Sequence, residues 1–210
     1  MCIFTLMIET LLSFAFATSL LAISPGPDNI FVLTQSIVHG KKFGLATVAG
    51  LITGCLVHTT LLAFGVSAAI IASDSLFLGI KLFGATYLLY LAYKVYLTDS
   101  NITLSEEDTP EKTTKQLFKQ GFVMNVLNPK VSIFFLAFFP GFLFSETMNT
   151  VFQFYILGFI FMFVSCIIFA LLAVLADTIS KTIKNNKSIG IYLKWTQIIV
   201  FMFIAIFILL

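Results

Sequence analysis

Two short polar clusters interrupt otherwise apolar runs: Ser24-Pro25-Gly26-Pro27-Asp28-Asn29 and, about a hundred residues later, Asn125-Val126-Leu127-Asn128-Pro129-Lys130. Proline lacks an N–H, clashes with the preceding turn and pushes the residue before it out of the helical region. Ser24, Pro25, Gly26 and Pro27 in one cluster, and Pro129 in the other, are therefore expected to break a helix. Unwound backbone at membrane depth survives only where protein or a water-filled cavity shelters it, and paired discontinuous helices point to a transporter's binding site. Aligning Pro27 with Pro129 sets Asp28 opposite Lys130, an acid and a base at matching positions of two weakly similar halves.

That the setting is a membrane follows from composition. The chain is 59% hydrophobic and only 10% charged, against roughly 45–50% and 25% in soluble domains. Its 25 phenylalanines and lack of arginine reflect compositional bias more than function. The net charge of +2 is too small to argue for a nucleic-acid partner. Cys2, Cys55 and Cys166 are isolated in apolar runs without metal-ligand spacing, and read as packing residues. The first 24 residues lack a basic leader region and read as the first half of a span.

Six apolar segments match the roughly 20 residues that a bilayer requires: about 8–38, 43–72, 76–97, 117–143, 150–177 and 189–210. The predicted fold is all-α, six transmembrane helices arranged as two three-helix repeats, 1–98 and 117–210, with spans 1 and 4 broken at the proline clusters. A charged cytoplasmic linker, 99–116, joins them and carries Glu106, Glu107, Asp108 and Glu111. Ten of the twelve lysines fall in or beside loops one, three and five, and the loops around Asp74 and Glu146 have none. Lysine stays in the cytoplasm, so both termini are predicted outside. Three spans per half inverts the second repeat relative to the first, as in transporters that alternate access by rocking one half against the other.

The candidate substrate site is Asp28, Asn29, Asn125, Asn128 and Lys130. Asn128 reads as an N-cap with proline at the first helical position, and Asp28-Asn29 could cap in the same way. Lys130 resists a structural explanation: a cation one residue into a helix opposes the dipole and costs ~2.5–3.5 kcal/mol near the bilayer centre on insertion scales. It needs an anion, either Asp28 or a cargo carboxylate. A zwitterionic amino acid would find donors in Lys130 and the half-helix N-termini, and acceptors in Asp28 and the carbonyls freed around Ile23 to Pro25. Ala46, Gly50, Gly54 and His58 recur every four residues and predict a close helix contact. Three pathway or coupling candidates remain. His58 packs at that contact or lines the pathway, Lys81 lines it or snorkels to the outer interface, and Asp177 is an interfacial acid or a gate residue.

The chain resembles the lysine and homoserine exporter family (LysE/RhtB). The matching residues are Ser24-Pro25-Gly26-Pro27, His39-Gly40 with Gly44, Ala49-Gly50 through His58, Lys81-Leu82-Phe83-Gly84-Ala85 with Tyr87-Leu88, Asn125 with Asn128-Pro129-Lys130, and Phe139-Pro140. They span most of the chain in order and spacing. The resemblance implies secondary active export of amino acids or close derivatives from the bacterial cytoplasm, through the inner membrane and driven by the proton gradient, with no enzymatic step and no cofactor. The implied partners are the amino acid, protons and the lipid bilayer, with room for a homo-oligomer. Two positions depart from the family: the last span, Trp195 to Leu210, has no glycine, and Gly141 stands where glutamine is common.

Two rival classes fit the residues less well. A membrane thiol carrier would need a cysteine in each broken helix, and neither cluster has one. A metal-ion exporter could use Asp28, His58 and Asp177, but divalent sites favour clustered carboxylates, imidazoles or thiolates, whereas the residue paired with Asp28 is a lysine.

Overall fold

The computed structural model describes residues 2–24, 26–68, 73–98, 112–185 and 188–209, and every regular element among them is helical. Pro25 and the charged stretch 99–111 lie outside the described residues, and so does the side chain of Asp177. The helices are α1 (Cys2–Ile23), α2 (Pro27–His39), α3 (Lys41–Leu61, continued by a π-helical turn Leu62–Val66), α4 (Asp74–Leu97) and α5 (Thr114–Val126). They continue with α6 (Pro129–Phe138, continued by a 3-10 turn Phe139–Phe142), α7 (Thr150–Val174), α8 (Ala176–Asn185) and α9 (Ser188–Leu209).

Five segments are individually long and apolar enough to cross a membrane: Thr5–Ile23, Lys41–Val66, Ser75–Leu97, Thr150–Val174 and Ile189–Leu209. A sixth is reached if Thr114–Val126 and Pro129–Phe142, bent by 50° at their junction, count as one span. The first segment differs in detail from the expected 8–38: α1 is long enough by itself. The 13 residues of α2 reach only about 20 Å, short of the ~30 Å hydrocarbon core. The fourth begins earlier than 117, because Thr113 starts a helix there. Gln116 N donates to Thr113 Oγ1, and Thr113 N donates to Gln116 Oε1, a reciprocal capping box. Gly40, with φ of 94°, turns α2 directly into α3, a conformation that L side chains avoid.

The tightest crossing joins α3 to α5. A Cβ on Gly50 would strike the Phe118 carbonyl, one on Gly121 would reach 2.5 Å from the Thr47 carbonyl, and one on Gly54 would reach 2.7 Å from Asn125 Oδ1. The four-residue ridge read from the sequence is this contact, and small residues let the backbones approach. Elsewhere α1 lies along α7, α3 also packs on α7, and α9 lies along α4. Apolar residues gather in two clusters. The larger stacks Phe134, Phe135, Phe138, Phe139 and Phe142 of α6 and its 3-10 turn against Phe14 and Phe161. Ring centroids there are as close as 4.2 Å for Phe135 and Phe139 and 4.8 Å for Phe14 and Phe139. The smaller holds Val32, Val48, Leu51, Phe169 and Ala173. Between them lies a small pocket with both polar and apolar walls.

Candidate functional site

The pocket forms where α2 and α6 begin. Pro129 has no N–H to offer the carbonyl of Asn125, four residues back. That oxygen is instead approached by Asn128 N and by His58 Nε2, each at 3.0 Å. A carbonyl only accepts, so Nε2 carries the proton. On the first break, Asn29 Nδ2 donates to Ala22 O at 2.8 Å. Each break thus ties a carbonyl of the preceding helix to a polar side chain, in a region where such groups cannot be left bare.

Asn128 is the N-cap expected of it: Lys130 N donates to its Oδ1 at 3.0 Å. Asp28 is not a cap. The residue before α2 is Gly26, without a side-chain cap, and the Asp28 carboxylate turns inward, where Oδ2 accepts from Asn128 Nδ2 at 3.1 Å. Its other oxygen, Oδ1, is buried without a partner. Lys130 Nζ makes one long hydrogen bond, 3.5 Å to Ser24 O, and lies 5.1 Å over the Phe201 ring. Among the described residues Asp28 and Lys130 form no ion pair within 4.0 Å. Lys130 has three N–H donors, so it keeps capacity for an acceptor in the pocket. The first amides of α6 do not: Lys130 N, Val131 N and Ser132 N all bond to Asn128. The donors expected from that helix start are spent on its cap.

Asp28, Asn29, Asn125, Asn128 and Lys130 all line one cavity of about 30 Å³, with Gly26, Pro27 and Cys55 beside them. Leu21, Val131, Phe161 and Phe169 form its apolar wall. That volume suits a water or two and is smaller than an amino acid. Ser165 of α7 joins the lining. It is 1% exposed and its hydroxyl has no partner, unlike Ser36, Thr47 and Thr59, which bond the carbonyl four residues back.

The chain matches the profile described as LysE type translocator over residues 19–210. It belongs to the LysE translocator family. Among curated relatives of this LysE-family chain, the homoserine/homoserine lactone efflux protein of Salmonella typhimurium is 31% identical over 175 residues, covering 83% of this chain and 84% of that one. The protein of the same name from Salmonella typhi matches with the same identity and coverage. The uncharacterized membrane protein YrhP of Bacillus subtilis is 30% identical over 199 residues, covering 91% of this chain and 94% of that one. No solved structure matches the chain significantly.

Not every candidate of this LysE translocator reaches the cavity. His58 supports it from behind through Asn125. Lys81, on α4, is not among the lining residues. The metal-exporter alternative finds no support: among the described residues no three His, Cys, Asp or Glu side chains gather to hold an ion. Ser165 is a lining residue that motif reading misses. Its only signal is a lone hydroxyl in the middle of an apolar helix.

Proposed function

We propose that this LysE-family protein is a secondary active exporter of amino acids or close derivatives from the bacterial cytoplasm, driven by the proton gradient. The observation that carries this reading is that Asp28 Oδ1 has no partner, while Lys130 has unspent donors on the same cavity. A zwitterion satisfies both, its ammonium at Asp28 and the Ser165 hydroxyl, its carboxylate at Lys130. Acid and base are then used on the main-chain charges. The remaining wall of Leu21, Val131, Phe161 and Phe169 suits a small uncharged side chain, which fits the homoserine named for the Salmonella relatives.

Residues 1–98 and 117–210 form two inverted three-helix halves joined by 99–116, with the first and fourth spans broken at the proline clusters. The lysine-rich loops are cytoplasmic, and both termini lie outside the inner membrane. The packing supports the repeat: α1 lies along α7 as α5 lies along α3, the exchange that two inverted halves produce. The cavity is too small for cargo, so the halves must separate to admit it.

The test is efflux of labelled amino acids from preloaded cells, with and without the protein. Homoserine and other small neutral amino acids should leave faster, and collapse of the proton gradient should slow that loss. Unchanged efflux of every amino acid tested would reject the proposal.

A further inference from the structure

The buried face of α2 carries more polarity than the cavity uses. Asp28, Gln35 and His39 are spaced seven and four residues apart, so they lie within ~40° of one another around the helix and extend for about 16 Å along it. Each holds a buried polar atom without a partner: Asp28 Oδ1, Gln35 Oε1 and His39 Nδ1. Such atoms are uncommon in folded proteins, and each calls for an explanation. Gln35 is only 3% exposed. The row begins in the central cavity at Asp28. It ends in a groove of about 420 Å³ lined by Val38, His39, Phe43, Lys112 and Thr113, at the lysine-rich end of the helices.

Val32 interrupts this row. It lies on the same face, one turn from Asp28, and is sealed against Val48, Leu51, Phe169 and Ala173. Phe169 also walls the central cavity. The opposite end is closed by the far larger cluster built on Phe134 to Phe142. Separating five residues exposes less apolar surface than separating the aromatic stack, and the cost of opening scales with that surface.

We propose that this face of α2 lines the route between the central site and the lysine-rich side, with the Val32 cluster as its gate. Gln35 gives a zwitterionic amino acid a polar contact between Asp28 and the mouth at His39. In the closed conformation the three orphaned atoms have no partner; with α2 displaced they face water and passing cargo. The proposal rests on reading the central cavity as a cargo site, but its test does not require knowing the cargo.

Single cysteines at Val32, Gln35, Ser36 and His39, in a background without the native three, are exposed to a charged methanethiosulfonate in sealed vesicles of either orientation. Lys181→Cys marks the lysine-rich side and Ser145→Cys the other. Gln35→Cys and Val32→Cys should react only from the Lys181 side. Ser36→Cys, whose position packs against Gly44, should stay unreactive. Where Gln35→Cys fails to accumulate, Val32→Cys and His39→Cys report the same route. Reaction only from the Ser145 side, equal reaction at Ser36, or no reaction in a variant that still exports would overturn the route. A failed efflux panel with the predicted labelling would instead sink the cargo assignment alone.

Discussion

The Asn128 amide reaches 3.1 Å to the Asp28 carboxylate and links the starts of two helices that lie 100 residues apart in sequence. The same side chain accepts from Lys130 N, so one residue couples the acid to the element that carries the base. The long bond from Lys130 Nζ to Ser24 O, at 3.5 Å, crosses between the same two clusters. Asn128→Ala removes both bonds of the Asn128 side chain. The cap alone is worth about 0.5–2 kcal/mol, and export should fall further than that loss of stability explains. Asn128→Asp keeps the cap oxygen but sets two carboxylates face to face, so export should stay low while a melting measurement on purified protein shows the cap retained. Normal export by Asn128→Asp would detach this bond from function.

His58 should matter through the carbonyl that Pro129 orphans. His58→Leu leaves Asn125 O with Asn128 N as its remaining partner, and an under-satisfied buried group costs about 1–3 kcal/mol. His58→Gln restores a donor. Thermal unfolding in detergent should place His58→Leu below the parent, with His58→Gln between them. Equal melting of all three would remove His58 from the support of this break.

The α3–α5 crossing makes a sharper stability prediction. Gly50→Ala and Gly121→Ala drive a methyl into the carbonyls of Phe118 and Thr47, and overpacking of this kind typically costs 1–3 kcal/mol. Gly79→Ala is the control, since nothing lies within 4 Å of its added Cβ and alanine is the better helix former. Membrane abundance and melting should fall for the first two and hold or rise for the third.

Much of this was legible in the sequence because membrane helices announce themselves by length and apolarity, and prolines by what they forbid. Asn128 as a cap and the Gly50–Gly54 contact follow from local rules, whereas the meeting of the two polar clusters at one pocket is legible only by aligning Pro27 with Pro129. Asp28 can cap by its residue type but does not, because propensity for capping says nothing of which way a carboxylate turns when a partner amide is near. Ser165 and Gln35 were silent in the sequence. Their importance depends on burial without a partner, which only the packing of α7 and α2 against their neighbours reveals. The break at the first proline cluster is expected from the sequence, but that α1 is long enough to span alone and α2 is only a short helix is hidden, since composition cannot distinguish one broken span from a full span followed by a short helix.

Orientation has its own test. Ser145→Cys should react with an impermeant thiol reagent in intact cells and Ser188→Cys should not, because the lysines gather on the side of residue 188. Reaction at 188 alone would reverse the direction assigned to transport.

Whether Asp28 and Lys130 hold the cargo is decided by efflux of labelled homoserine from preloaded cells expressing the parent protein, Asp28→Asn or Lys130→Gln at matched membrane abundance. Loss should be rapid and gradient-dependent with the parent and basal with either variant, because each removes the group that holds one end of the zwitterion. Export by both variants at the parental rate would show that neither charge meets the cargo and would contradict the site described here.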